Sequence, residues 1–479
     1  MASDGQSIER LREYLRTLKP EARAMLVQEL ERNLLRGGES AANDLILQEL
    51  RAAIRAAAQP VPRIGDAARM FFVPLEPFLI DGRADHKRIG RIARMSLEPI
   101  WAWIGRDLIP AEAKALSEDT NRALLNNDRP KAEQLVGALH ECTVQRMKDA
   151  IAEIGSDDKA RRRLAVQVGT PRAMDDLSTL LSILSSRETL ADLARRLPSH
   201  IRSFEREYVD QVKTLLDAAA AQNSLETGPI GKSDIFLYGL ILTMNRLAAP
   251  WQLIRIATRA AESDDVARIA ETPYAAAVTI VLSEIGWMIG ELRTELKSGR
   301  PTASMLKSIH DAARGLRSEM DLSVDCAWSR QLAAIRADVS GLLRAEIEAT
   351  PGHVRRLIRP RPAKDIAPGS LLESIDVNEA ETRVEFISAC RHYANELAVN
   401  EVTMRAYSEL TLYLETGTKV LLDSLRQAGD ADRPFRQSQV DAAIRFCRTV
   451  FGGEYAGLLA KAAEVAVQAA TAERRPVRA

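Results

Sequence analysis

Aromatic residues are scarce in this chain of 479 residues, where Phe, Trp and Tyr together make up 5%. Sheet-based folds such as sandwiches draw on aromatic and β-branched side chains for packing, so the composition argues against them. Alanine and other small residues suit helices that approach one another closely. The hydrophobic fraction of 46% is ordinary for a folded globular protein, and the length is enough for two or three domains.

The chain carries no formal net charge, because 66 basic residues balance 66 acidic ones. A dedicated nucleic-acid binder needs a basic excess to neutralise phosphates, so nucleic acid is a disfavoured partner. No apolar signal-peptide core is present near the start of the sequence, and no C-x-x-C pair occurs. We therefore expect a soluble cytoplasmic protein with free thiols at its four cysteines, Cys142, Cys326, Cys390 and Cys447.

Long apolar runs are also rare. The most apolar region, Thr272–Gly290, is nearly long enough to span a bilayer, but Glu284 interrupts it near its centre. We predict a buried bundle helix there, with Glu284 paired to an arginine of a neighbouring helix.

Apolar residues at helical spacing are abundant instead, separated by prolines and glycines. From Met305 to Ile347 they mark one continuous face, which predicts a single long helix with possible weak points at Gly315 and Gly341. No segment shows sustained period-two alternation. The sequence therefore predicts an all-α fold, an elongated multi-helix bundle with long amphipathic helices and little or no β-sheet.

Proline-rich stretches suggest the domain boundaries. A stiff linker around Pro60 closes an N-terminal helical unit, residues 1–58. Residues 351–369 are proline-rich and basic, which disfavours both a long helix and a strand. We therefore expect a central helical bundle over 66–350 and a C-terminal three-helix domain over 370–472.

Motifs that would carry catalysis or metal binding are missing. The stretch 228–233 resembles a phosphate-binding loop, but Glu226 stands where the first Walker A glycine belongs. None of the six histidines follows a glutamate by three residues, as a di-iron helix bundle requires. The His310–Asp311 dyad lacks accompanying histidines. We therefore predict no catalytic, cofactor-binding or metal-binding residues and no cofactor.

Residues 71–108 interrupt the helical monotony with three prolines and a tryptophan pair. Basic residues recur at helical spacing on one side, and apolar residues oppose them, which predicts an amphipathic helix over 87–108 that kinks at Pro99. Such a helix suits a membrane interface or the groove of a protein partner, although a core element with solvated charges has the same pattern. The candidate docking surface comprises Lys87, Arg88, Arg91, Arg94, Trp101 and Trp103.

A second basic cluster lies in the linker before the C-terminal domain. It is either solvated linker charge or a docking site for an acidic partner or a nucleic-acid backbone. The absence of aromatic residues on which bases could stack disfavours the nucleic-acid alternative. The candidate basic linker comprises Arg355, Arg356, Arg359, Arg361 and Lys364.

Together these features favour a non-enzymatic intracellular helical scaffold or protein-interaction protein, with a protein partner or self-association. One alternative is a peripheral membrane-associated protein that docks through residues 71–108. The other is an enzyme of unknown type with a site in the central bundle, near Glu284 and Trp287.

Overall fold

The structure is a computed structural model that describes residues 67–81, 88–126, 128–154, 158–227, 230–298 and 302–472, together with Leu26, Leu30, Ile46 and Leu50. Within these residues the fold is all-α, as predicted, with eighteen α-helices and one two-stranded sheet. Apart from those four single residues, the predicted unit 1–58 lies outside the described part of the chain.

The helices are named here in chain order. They are α1 (Ala67–Phe72), α2 (Leu97–Trp103), α3 (Pro110–Leu125), α4 (Arg129–Ile154), α5 (Asp158–Val168), α6 (Pro171–Ser185), α7 (Arg187–Arg196), α8 (Arg206–Thr227), α9 (Ile230–Met244), α10 (Ile254–Ala261), α11 (Val266–Ala270), α12 (Ala276–Lys297), α13 (Ala303–Glu319), α14 (Ala327–Ile358), α15 (Ser374–Tyr393), α16 (Asn400–Arg426), α17 (Arg433–Phe451) and α18 (Gly453–Ala472). The strands are β1 (Leu79–Ile80) and β2 (Ile92–Ala93).

The chain divides into two compact units. Of the described residues, one unit contains those up to Val73 and those of Pro110–Cys142, and the other contains those of Pro74–Ile109 and those from Thr143 onward. The segment 351–369, which the sequence predicts to separate two domains, lies within the second unit.

In the first unit, helix α1 packs against α3, and its buried Phe71 contacts a histidine of α4. Phe71 is fully buried, and its ring lies 4.6 Å from that of His140. Nε2 of His140 lies 2.7 Å from the carbonyl oxygen of Phe71, and the Ala67 amide donates to Oδ1 of Asn121 at 3.0 Å. These polar contacts satisfy groups that burial would otherwise leave without partners.

Of the amphipathic helix predicted over 87–108, the described residues 88–93 are not helical. β1 and β2 pair in parallel, with Leu79 opposite Ile92. Between them Gly90 adopts a left-handed φ of 66°, and a Cβ there would lie 2.4 Å from Cδ1 of Ile241. A residue in this conformation cannot continue an α-helix. The helical stretch therefore begins after β2 with a 3₁₀ turn over Arg94–Ser96 and continues through α2 into a π-helical turn over Ile104–Leu108.

Helix α12 is central to the second unit. By length and hydropathy, the stretch Pro273–Lys297 is the one helix in the described part of the chain that matches a membrane span. It packs against α9, α10, α13 and α14 and buries one apolar side, as predicted for a bundle helix.

The single helix predicted from Met305 to Ile347 is instead two helices, α13 and α14. The chain breaks between them because the Asp321 amide donates to the carbonyl oxygen of Asp264 at 2.9 Å, and Cys326 then caps α14. Gly315 is no weak point either. A Cβ there would lie 2.2 Å from the Trp251 ring, so glycine permits a close approach.

Helix α14 also continues farther than predicted. It accommodates Pro351 in its interior and ends at Ile358, so its last two turns reach into the predicted linker. In the C-terminal region, Gly452 has a φ of 92° and divides the predicted third helix into α17 and α18. The three helices predicted over 370–472 are therefore four.

Candidate docking sites

The structure does not bring the predicted docking surface together on one helical face. Arg88 precedes the turn at Gly90, and its guanidinium binds both carboxylate oxygens of Glu284, with 2.9 Å between Nε and Oε1. The two side chains are 14% and 12% exposed, and the guanidinium also stacks 4.2 Å above the Trp287 ring. The expected arginine partner of Glu284 is thus confirmed, although it comes from a turn rather than a helix.

Arg91 is also committed to the interior. It is 5% exposed and donates to the Pro77 carbonyl oxygen at 2.7 Å and to Oδ1 of Asn245 at 2.8 Å. Burial, assisted by the neighbouring charge of Arg88, lowers the pKa of Arg91 to about 10. A guanidinium held in this way fixes the turn and is withdrawn from external ligands.

The remaining residues of this surface point to different environments. Arg94 is partly exposed and pairs with Glu76 and Asp81. Trp103 is 2% exposed, and Trp101 is half-buried. Lys87 lies outside the described residues. The three arginines have helical spacing in the sequence, but they do not form a shared surface, because Arg88 and Arg91 face inward.

The basic linker begins inside α14, and its first residue is already paired. Arg355 donates to Oε1 of Glu409 at 2.6 Å and lies 5.3 Å from the centre of the Tyr413 ring, both on α16. Lys364 is exposed in a short 3₁₀ turn after the helix.

Two of the other linker arginines, Arg356 and Arg361, line a cleft between the end of α14, the segment that follows it, and α15. We call this the basic cleft; its volume is about 230 Å³. It is lined by His353, Arg356, Leu357, Arg361, Asp376, Glu379, Ala380 and Arg383. Arg361 also lines a neighbouring depression that contains Arg359 and Asp365.

Three arginines at the basic cleft and the depression beside it lack acidic partners. Within the described part of the chain, no carboxylate lies within ion-pairing distance of Arg356, Arg359 or Arg361. The Arg361 guanidinium stacks 5.0 Å from the centre of the Phe435 ring, and its Nε is buried without a hydrogen-bond partner. Because Nε is covered, Arg361 can meet a ligand only through its terminal guanidinium nitrogens, which make no hydrogen bond within the described part of the chain.

The α15 wall of the basic cleft is mixed in charge. Arg383 pairs with Glu379 at 3.0 Å and with Glu346 at 3.1 Å, so those charges are largely compensated. Asp376 is exposed and has no ion-pair partner among the described residues. With three arginines against two carboxylates, and His353 neutral, the lining carries a net charge of +1.

His353 joins the two walls electrostatically. Its Nδ1 lies 3.0 Å from a guanidinium nitrogen of Arg356, which can only donate. Burial lowers the pKa of His353, and the positive charges of Arg383 and Arg356 lower it further. The imidazole is therefore neutral at pH 7, with its proton on Nε2 as a remaining donor.

Sequence reasoning found Arg356 and Arg361 but missed the rest of the basic cleft. Asp376, Glu379 and Arg383 recur at helical spacing on one side of α15, which was the available signal. Within the described residues, no group of three or more His, Cys, Asp or Glu side chains is placed to hold a metal ion.

The chain matches no family model, no curated protein and no solved structure. Its function must therefore be inferred from the geometry of these sites.

Proposed function

We propose that the protein is a non-enzymatic intracellular interaction protein that docks an acidic segment of a partner protein at the basic cleft. The observation that carries the proposal is the cluster of Arg356, Arg359 and Arg361, which have no carboxylate partners in the described part of the chain. Like charges held together raise the free energy of the unbound protein, and carboxylates of a partner relieve that repulsion.

Exposed apolar side chains beside the basic cleft indicate what else the partner carries. Ile375 is 74% exposed and lies one helical turn before Glu379, which lines the cleft. Leu371, at the entrance to α15, is 62% exposed. An acidic segment with aliphatic residues complements both the charge and the apolar surface, as is usual where a polar rim surrounds an apolar contact.

The alternatives have less support. Membrane docking through residues 71–108 needs several arginines free to meet lipid phosphates, whereas Arg88 and Arg91 bind groups within the protein. An enzyme site at Glu284 needs that carboxylate to be available, and it is held by Arg88. Free thiols at all four cysteines support an intracellular setting.

The proposal is tested by fluorescence anisotropy with a short labelled peptide of glutamates and leucines. The full-length protein should bind it saturably at low salt and more weakly as ionic strength rises, because the Debye length falls to about 10 Å at 0.1 M. The variant Arg356→Glu/Arg361→Glu should lose at least about tenfold in affinity. Arg161→Glu/Arg162→Glu is the matched control, since both arginines are exposed on α5 and the charge change is equal. Absence of binding, or equal loss in both variants, would overturn the proposal.

A further inference from the structure

We infer that the basic cleft receives a phosphate monoester group, held between Arg356, Arg361 and His353. This inference rests on the proposed function, since it names the chemistry that the same cleft recognises on the docked segment. The three side chains belong to the end of α14 and the segment directly after it, and all three line the cleft.

The side chains of Arg356, Arg361 and His353 offer hydrogen-bond donors to the basic cleft. Arg356 uses one guanidinium nitrogen on His353. In the described part of the chain its other guanidinium nitrogens make no hydrogen bond, and neither do the terminal guanidinium nitrogens of Arg361, which, unlike the buried Nε, a ligand can reach. His353 accepts at Nδ1 and therefore keeps an Nε2–H donor. Three separate side chains thus offer donors to a ligand that only accepts. A dianionic phosphate has three terminal oxygens, whereas a carboxylate has two.

The volume of the basic cleft limits the size of the group that it can hold. Pockets for drug-sized molecules are commonly about 300–1,000 Å³, which exceeds the 230 Å³ of the basic cleft. The cleft is large enough for a phosphate group and the first atoms of its ester. The rest of the ligand must therefore lie outside, along the exposed surface that includes Leu371 and Ile375.

Asp376 contributes a negative charge to the basic cleft. Its carboxylate lines the same cleft and has no ion-pair partner among the described residues, so it opposes an anionic ligand. Glu379 opposes the ligand less, because Arg383 neutralises it at 3.0 Å. Asp376→Asn raises the net charge of the lining from +1 to +2. It should therefore tighten phosphate binding, an outcome that general loss of structure cannot produce.

The experiment uses the full chain and two probes. The first is inorganic phosphate, added as a competitor against the labelled acidic peptide with sodium chloride of equal ionic strength as control. The second is the same peptide with one phosphoserine. Phosphate should displace the peptide better than chloride does, and phosphorylation should tighten peptide binding about tenfold. Arg361→Gln should remove most of that gain, Arg361→Lys should keep part of it, and Asp376→Asn should increase it. Arg162→Gln serves as the control, and circular dichroism checks that each variant is folded.

The outcomes separate the two proposals. If the acidic peptide binds but phosphorylation leaves its affinity unchanged and phosphate does not compete, the phosphate inference is overturned and the proposed function stands. The opposite outcome, phosphate binding without peptide binding, is measured by phosphorus NMR of inorganic phosphate with the protein in the absence of peptide. If phosphate binds there through Arg361 but neither peptide binds, the cleft serves a free phosphate compound, and the proposed function is overturned.

Discussion

Arg356 donates a hydrogen bond to Nδ1 of His353 across 3.0 Å, on the last turns of α14. The bond fixes the tautomer of a neutral imidazole, because guanidinium groups have no acceptor. Both side chains line the basic cleft, so the pair presents donors only: free guanidinium N–H groups from Arg356 and an Nε2–H from His353. This relationship determines which ligands the cleft can hold.

The charge environment of His353 is open to direct titration. Burial lowers the pKa of His353 most, and of the two positive charges that lower it further, Arg383 has the larger effect. Arg383 also pairs with Glu379 and Glu346. Arg383→Gln should therefore raise the pKa of His353, since it removes a positive charge and frees two carboxylates. NMR titration of the imidazole measures this value. An unchanged or lower pKa would contradict the assigned electrostatics.

The same shift predicts how stability depends on pH. The pKa of His353 is lower in the folded than in the unfolded chain, so the unfolded chain binds more protons in that range. The free energy of unfolding should therefore fall as the pH drops below about 6.5. Urea titrations at several pH values should show a smaller fall in Arg383→Gln than in the unaltered protein. An equal fall in both proteins would mean that His353 does not contribute.

Among the ion pairs of residues 71–108, the Arg88–Glu284 pair should show the largest loss of unfolding free energy when one partner is removed. Glu284→Gln leaves a mostly buried guanidinium without its counter-charge, and the expected loss is about 3 kcal/mol of unfolding free energy. Glu76→Gln breaks an exposed pair with Arg94 and should cost less than about 1 kcal/mol. Urea denaturation measures both values. Equal losses would show that the Arg88 pair is not buried in solution.

Two helical glycines should respond to alanine in opposite directions. At Gly315 a Cβ would collide with the Trp251 ring, at 2.2 Å, so Gly315→Ala should destabilise the protein by about 1–3 kcal/mol. Gly341 is exposed in α14, and a Cβ there meets nothing within 4 Å. Gly341→Ala should therefore stabilise by about 0.5–1 kcal/mol. Thermal unfolding of both variants checks the contrast, and a loss of stability at Gly341 would contradict the local structure.

The fold class follows from the sequence because helical periodicity is a local property. Predictions from the sequence are wrong where contacts with residues far away in the chain determine the backbone conformation. The arginines of residues 88–94 have helical spacing, yet Gly90 takes a left-handed conformation and Arg88 binds Glu284, 196 positions away. The break at Asp321 likewise depends on the carbonyl of Asp264. No local pattern reveals such contacts.

The candidate site was predictable in part for the same reason. Arg356 and Arg361 stand out because charge clusters are visible in the sequence. The α15 wall, with Asp376 and Arg383, joins them only through the packing of α14 against α15. His353 and Arg356 are three residues apart, so their hydrogen bond follows from helical spacing once the helix is known to continue past Pro351. The sequence predicted no helix there, which is why the pair was missed.

A charge swap at the basic cleft tests the proposed docking most directly. In Arg356→Glu/Arg361→Glu the lining changes from a net charge of +1 to −3, since each substitution removes one positive charge and adds a negative one. The measurement is the affinity of this variant for a peptide in which lysines replace the glutamates. The variant should bind the basic peptide and reject the acidic one, whereas the unaltered protein should do the reverse. If both proteins rank the two peptides alike, the basic cleft is not the docking site.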